Sequence, residues 1–218
     1  MTATDDFQIA TYSNKKMTAN QWIACYLKCV AEYGQEQVMG VVACHKGSMG
    51  EKNLNQKLQE QLNPEVEQGI SYRLPDDMVL RKGDPVIHDS GNRSNVRNGE
   101  IGVIEDIHKE DGMVIVSVNY GDRIVEYKDQ EGMNQEGMHL KCTDLKLAYV
   151  ITIHKAQGSQ CKCVVIGLES NCRLNTRNLL YTAITRAEEK CYLCIQGTNT
   201  LMEALEKDAL DQRVTFLT

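Results

Sequence analysis

Two segments in the second half of the 218-residue chain combine residue types that bind and stabilise phosphate groups. The first, Ala148 to Gln160 (AYVITIHKAQGSQ), has the pattern of a strand that turns into a polar loop containing glycine. The second, Leu179 to Ala187 (LLYTAITRA), has the pattern of a helix that ends near Arg186. An arginine there can stabilise negative charge on a transferring phosphoryl group. A surface arginine that only complements the helix dipole is the alternative interpretation.

Thr152, His154 and Lys155 follow the predicted strand of the first segment. Side chains at the carboxyl end of a parallel strand lie at the mouth of the cleft where such sheets bind ligands. Taken alone, His154 is typical of a core or rim histidine. Gly158 allows a ligand to approach the backbone closely, although loop glycines commonly serve only the turn.

Basic residues elsewhere are weaker candidates for nucleic-acid contacts. Lys46 precedes Gly47 and Ser48 at a predicted helix start, where amides can bind a phosphate of the DNA backbone. A turn that only connects a strand to the following helix explains these residues equally well. Arg93 and Arg97 lie in a stretch, residues 79–98, with four basic and two acidic residues, a net +2. Such a positive rim can follow a phosphate backbone, and a solvated loop has the same composition.

Elements that position these residues follow an alternating pattern. Strands are predicted at 7–12, 38–44, 148–154, 163–168 and 191–196, and helices at 18–33, 50–62, 176–186 and 200–210. Strands that alternate with helices indicate a mainly parallel sheet. Between them, short β runs at 85–88, 100–108, 113–119 and 123–127 are separated by turn signals, and residues 129–137 have the composition of an exposed loop. The sequence therefore predicts an α/β domain interrupted by a small antiparallel β module.

Composition narrows the class of protein. The chain is 42% hydrophobic and 25% charged, and it contains no apolar run of the roughly 20 residues needed to cross a bilayer, so we expect a cytoplasmic protein. The net charge of −6 disfavours a surface that binds polyanions over its whole extent. Any contact to nucleic acid must therefore come from local basic patches.

The nine cysteines are an odd number, and several, including Cys25, Cys29, Cys44, Cys163 and Cys191, lie in apolar stretches typical of buried reduced thiols. A zinc site of Cys161, Cys163, Cys191 and Cys194 is disfavoured because the last two point to opposite faces of one strand. No metal site is predicted.

These motifs together resemble the RecD-like branch of superfamily 1B DNA helicases. ITIHKAQGSQ resembles helicase motif V of that branch, and LLYTAITRA resembles motif VI. Val42 to Pro64 resembles the opening of the second motor domain, and Arg81 to Val103 resembles the entry to an inserted SH3-like module. The resemblance covers nearly the whole chain in family order. It implies a RecA-like α/β domain at 1–80 and 145–218, with an SH3-like β-barrel insertion at 81–144.

The resemblance also implies roles for single residues. Arg186 becomes the arginine finger, and Gln157, Gly158 and Gln160 become nucleotide contacts. Gln160 departs from the family pattern, because relatives commonly have a glutamate associated with the ribose. Thr152, His154 and Lys155 become contacts to single-stranded DNA.

The implied function is that of a 5′-3′ DNA helicase fragment. A search for GxxxxGK[ST] fails, so ATP and Mg²⁺ are expected to be bound mainly by an N-terminal RecA-like domain of the same protein, and the chain alone is expected not to hydrolyse ATP. Recombination or repair subunits are possible further partners, and no membrane partner is expected. A noncatalytic module that binds nucleic acid or protein and keeps a helicase-like fold is the alternative.

Overall fold

The structure is a computed structural model that describes residues 6–12, 15–65, 71–93, 95–130, 140–170 and 172–207. The chain divides into two compact units. The first is drawn from Met1–Leu54 and Val150–Thr218, and the second is Asn55–Tyr149. The predicted domain limits at residues 80 and 145 stay a prediction.

A five-stranded parallel sheet forms the centre of the first unit. Its strands are β1 (Phe7–Tyr12), β2 (Val38–Val42), β10 (Val150–Thr152), β11 (Cys161–Leu168) and β12 (Ala187–Gln196). Their order is β1-β12-β11-β2-β10, and every pairing between neighbours is parallel. The sequence CKCVVIGL of β11 is nearly all apolar because this middle strand is buried on both faces. The predicted parallel α/β sheet is confirmed.

The described part of the chain contains four α-helices: α1 (Lys15–Tyr33), α2 (Glu51–Leu62), which runs from the first unit into the second, α3 (Arg177–Ile184) and α4 (Thr200–Glu206). Helix α1 packs against the sheet through a buried stripe in which the rings of Trp22 and Tyr26 stack 5.4 Å apart. Helix α3 begins at its N-cap Thr176, whose Oγ1 accepts a hydrogen bond from the amide of Leu179. None of the described helices is long and apolar enough to cross a membrane.

Several predicted limits were wrong. Helix α1 begins at Lys15 and not at the predicted residue 18, so Thr18 is a buried residue inside the helix. Strand β10 covers only Val150–Thr152, because the chain turns directly after Thr152. Asp129 belongs to a strand and not to a loop, and residues 131–137 of that predicted loop lie outside the described residues. The last helix ends at Glu206, and residues 208–210 also lie outside the described part.

The second unit contains an antiparallel sheet of order β8-β7-β6-β5-β9. Its strands are β5 (Pro85–His88), β6 (Ile101–Glu110), β7 (Met113–Asn119), β8 (Ile124–Gln130) and β9 (Leu145–Leu147), with a separate hairpin of β3 (Ser71–Arg73) and β4 (Val79–Arg81). The predicted β runs are present. Tyr127 is fully buried, and its hydroxyl lies 2.6 Å from that of Tyr120 and 3.2 Å from His88 Nδ1. Tyr127 therefore packs inside the module.

Asp84 is the buried polar centre of the second unit. Its carboxylate accepts hydrogen bonds from the Asn63 amide at 2.8 Å, the Tyr149 hydroxyl at 2.8 Å, the Arg81 backbone N–H at 2.8 Å and the Gln59 amide. Burial raises the pKa of Asp84, and these hydrogen bonds partly offset that effect. The charge stays in the interior because four donors surround it.

Candidate functional site

Three loops of the first unit leave neighbouring strands at the same edge of the sheet. Strands β10, β2 and β11 are adjacent and parallel, so the loops at residues 153–160, 43–50 and 169–176 all start at their carboxyl ends. This edge is where open parallel sheets bind ligands. The segment after β10 starts at this edge, whereas Arg186 directly precedes β12 at the opposite edge, where its guanidinium contacts the Ser159 carbonyl just before β11.

The loop after β10 begins with a tight turn. Thr152 is 3% exposed, and its carbonyl accepts hydrogen bonds from the amides of Lys155 at 2.9 Å and Ala156 at 3.1 Å. This turn directs the following polar side chains outward, and the exposed residues here are His154, Gln157, Gly158 and Gln160. Gly158 has φ +90°, a left-handed backbone conformation that favours glycine. No atom lies within 4 Å of the position that a Cβ would take, so the loop surface is open there.

Glu51 connects this loop to the loop after β2. Its carboxylate, on a residue that is 6% exposed, lies 2.6 Å from His45 Nδ1 through Oε2 and 3.7 Å from Lys155 Nζ through Oε1. A buried carboxylate is stabilised by such basic partners. Lys155, which the sequence predicts as a nucleic-acid contact, is therefore held by an ion pair inside the protein.

Arg186 follows α3, and its guanidinium is fixed by three hydrogen bonds. Nε donates to the Thr182 carbonyl at 3.1 Å, Nη1 to the Ser159 carbonyl at 3.2 Å, and Nη2 to the Thr185 hydroxyl at 3.2 Å. The Arg186 carbonyl in turn accepts from the Cys161 amide at 3.1 Å. The arginine thus joins the end of α3 to the loop after β10, while its side chain keeps partial exposure.

The turn at Lys46, Gly47 and Ser48 holds an internal anion. Lys46 is exposed, and both the amide and the hydroxyl of Ser48 donate to Glu169 Oε1, at 3.3 and 3.0 Å. Gly47 has φ +106°, and a Cβ there would lie 2.3 Å from Glu169 Oε2. The turn therefore has the donors predicted for a phosphate, and a carboxylate from the loop after β11 uses them.

Arg93 and Arg97, the remaining predicted contacts, belong to the second unit and are both exposed. The amide of Arg93 donates to the Val96 carbonyl, and the amide of Arg97 donates to the Glu100 carboxylate at 2.9 Å. These bonds order the backbone of the turn and involve neither guanidinium.

Cys44 is not the reduced thiol that the sequence predicts, because it forms a disulfide with Cys172. The apolar strand β2 ends at Val42, and the half-buried Cys44 that follows it is bonded to Cys172 in the loop after β11. Within the described residues, no group of three or more potential ligands could hold a metal ion. A hydrogen bond from Cys194 lowers the pKa of the half-buried Cys25 thiol to about 7, against the opposing effect of burial.

Sequence reasoning missed Glu51, Glu169, Ser159 and the disulfide. Glu51 had a usable signal, because an acidic residue in the first turn of a helix is favoured by the helix dipole. Glu169 directly follows β11 at the ligand-binding edge, which is also visible once that strand is predicted. The Ser159 contact and the disulfide join distant segments and left no local pattern.

Comparison with known proteins identifies the family of this site. The family described as UvrD-like helicase C-terminal domain matches residues 147–194, which include both segments that meet at Arg186. The ATP-dependent RecD2 DNA helicase of Deinococcus radiodurans is 31% identical over 161 residues, which are 73% of this chain and 20% of that protein. The chain carries a RecD-like helicase C-terminal domain. The predicted resemblance to superfamily 1B helicases is confirmed.

Two further proteins are similar to this helicase domain over parts of their length. RecBCD enzyme subunit RecD of Mycolicibacterium smegmatis is 47% identical over 71 residues, 32% of this chain and 13% of that subunit. The crystal structure of Bacteroides Pif1 bound to ssDNA has a TM-score of 0.50 at 17% identity and covers 92% of this chain and 53% of that one, which supports the fold alone. The chain thus matches about a fifth of the length of RecD2 and 13% of the length of the Mycolicibacterium smegmatis RecD subunit.

Proposed function

We propose that this chain is the C-terminal motor portion of an ATP-dependent 5′-3′ DNA helicase. In this proposal the first unit is the second RecA-like domain, which supplies an arginine finger and part of the track for single-stranded DNA. The residues at 81–144 form an SH3-like insertion that adds Arg93 and Arg97 to that track. The similarity to RecD-like proteins supports the motor class and, through that branch, the polarity.

The placement of Arg186 is the observation that carries the proposal. Its guanidinium is fixed against the Ser159 carbonyl, so the arginine and the loop containing Gln157, Gly158 and Gln160 form one connected surface. A prepositioned guanidinium stabilises the charge that develops on a γ-phosphate without reorganisation at the moment of reaction. Partial exposure leaves it able to exchange a carbonyl partner for a phosphate oxygen.

Binding of ATP and Mg²⁺ is assigned mainly to the N-terminal RecA-like domain of the same protein. The 218 residues contain no GxxxxGK[ST] sequence, which would provide the amide cradle for the phosphates and the hydroxyl for Mg²⁺. Gln157, Gly158, Gln160 and Arg186 then complete the nucleotide site from the opposite side. Recombination or repair subunits are further candidate partners of the whole enzyme.

Single-stranded DNA is assigned to the carboxyl edge of the sheet, where β2 and β10 end. Lys46 and His154 are exposed on neighbouring loops, and Thr152 and Lys155 shape the loop that carries His154. Exposed cations contact phosphates without regard to sequence, as a translocating enzyme requires. The net charge of −6 makes this local arrangement, and not the overall charge, responsible for binding.

Two single arginine substitutions, compared in an enzyme that contains both motor domains, test the proposal. Arg186→Ala is expected to lower DNA-stimulated ATP hydrolysis by about 10³-fold or more and to leave DNA affinity nearly unchanged. Arg177→Ala removes an exposed arginine from the first position of the same helix and is expected to retain hydrolysis. Equal rates for the two variants would refute the arginine finger.

Assays of DNA binding and ATP turnover on the chain alone distinguish the motor proposal from the noncatalytic alternative. We expect it to bind a fluorescent single-stranded oligonucleotide and to show no ATP turnover. A noncatalytic binding module predicts instead that no partner domain restores hydrolysis and that binding is indifferent to both ATP and Arg186. ATP turnover by the purified chain alone would contradict the division of the nucleotide site between two domains.

A further inference from the structure

Two separate links join the loop after β2 to the loop after β11. One is covalent, the disulfide between Cys44 and Cys172, whose Cα atoms are 6.8 Å apart. The other is the pair of hydrogen bonds from the amide and hydroxyl of Ser48 to Glu169 Oε1. Both links fasten the second loop to the turn that carries Lys46.

Glu169 takes the position that an external anion would need at this turn. Backbone N–H and hydroxyl donors are the groups with which proteins bind phosphate oxygens, and here they bind a carboxylate. The other carboxylate oxygen fills the space beside Gly47. A phosphate therefore gains these donors only after Glu169 has left, and until then it also meets a negative charge.

The disulfide controls the segment that carries this carboxylate. The Cys172 amide donates to the Glu169 carbonyl at 3.4 Å, and the Asn175 side chain donates to the same carbonyl at 2.8 Å. Glu169 and Cys172 thus belong to one turn, which the bridge fixes to Cys44. Cys172 is 8% exposed and Cys44 is half-buried, so a reductant has access from the side of Cys44.

We propose that the Cys44–Cys172 disulfide is a redox lock that holds Glu169 on the Lys46 turn and keeps a DNA phosphate from binding there. A dithiol reductant opens it by donating two electrons and two protons. The S–S bond breaks, Cys44 and Cys172 become thiols, and the reductant becomes a cyclic disulfide. Disulfides in reducing compartments are mostly transient or redox-sensing, which suits a DNA-directed protein. The inference rests on the proposed contact between this turn and DNA.

Binding of a fluorescein-labelled oligo(dT) of about 20 nucleotides tests the lock on the full chain. Treatment with dithiothreitol is expected to tighten binding about tenfold, equivalent to one hydrogen bond to a charged group. Glu169→Gln in the oxidised chain is expected to produce a similar gain, because it removes the charge and keeps the disulfide. Glu188→Gln, at another exposed glutamate of the first unit, is the matched control and should retain the redox response.

Thiol titration of the denatured chain establishes the redox state. Seven free thiols are expected before reduction and nine after it. A count of nine without reductant refutes the lock.

Equal DNA affinity of the oxidised, reduced and Glu169→Gln proteins also refutes the lock and leaves the proposed function intact. Absence of DNA binding in every form refutes the DNA contact itself and the lock with it. Should reduction unfold the chain, Glu169→Gln decides the outcome, since it retains the bridge.

Discussion

Replacing both Cys44 and Cys172 by serine is expected to lower the free energy of unfolding of the first unit by about 6 kcal/mol. The two cysteines are 128 positions apart. Loop-closure entropy for a cross-link over that length corresponds to about 5 kcal/mol at 25 °C, because the bridge restricts the unfolded chain. The serine hydroxyl at the buried position 172 adds a cost of about 1 kcal/mol. Chemical reduction of the native protein isolates the first contribution.

Trp22 provides the assay. It is the single tryptophan of the chain, it is fully buried in the first unit, and its fluorescence therefore reports unfolding of the unit that contains the bridge. With a urea dependence of about 1–3 kcal/mol per molar, reduction should lower the unfolding midpoint by about 2–5 M. Cys25→Ser removes a thiol outside the bridge and should leave that shift in place.

Identical midpoints for the oxidised and reduced proteins would refute this reasoning. A midpoint of the double serine variant well below that of the reduced native chain would show instead that the side chains matter more than the cross-link. The two units can unfold separately, so the fluorescence transition is to be compared with circular dichroism before a single free energy is assigned.

Three further changes have defined outcomes. Asp84→Ala should destabilise the second unit by about 3–5 kcal/mol in chemical denaturation, because four donors lose their buried acceptor. Since burial raises the pKa of Asp84, its contribution to stability is greatest below the pKa of an unfolded aspartate and falls as pH rises through the folded value, a dependence that the variant should lack. Cys25 should react with iodoacetamide with a midpoint near pH 7, the value to which the Cys194 hydrogen bond lowers its pKa, as followed by peptide mass spectrometry. Gly47→Ala should cost more than about 1 kcal/mol in urea unfolding, because its positive φ is strained and its Cβ meets Glu169.

Local patterns in the sequence predicted much of the first unit. The apolar run of β11 and the helical span of α1 depend on neighbours within a few residues. Gly34, with φ +82°, ends α1 at the predicted place. Such features are encoded where they occur, so composition and periodicity were sufficient to find them.

Contacts across the sheet edge could not be predicted in the same way. The pair of Glu51 and Lys155 is separated by about half the chain, and Ser48 meets Glu169 over a sequence distance of 121. Both pairs depend on the strand order, in which β2 lies between β10 and β11. Motifs identified the loop after β10, whereas its partners required knowledge of which strands are neighbours.

The position of β2 has a consequence for how the site responds to ligands. Its loop contacts the loop after β10 through Glu51 and Lys155, and the loop after β11 through Ser48 and Glu169. A phosphate that displaces Glu169 therefore acts on the same short segment, residues 45–51, that holds Lys155. Arg186 is bonded to Ser159 at the far end of the loop that Lys155 begins. The Lys46 turn and Arg186 are thus connected through residues 45–51 and the loop after β10, and under the proposed function this is the route by which strand binding at the turn could affect the arginine.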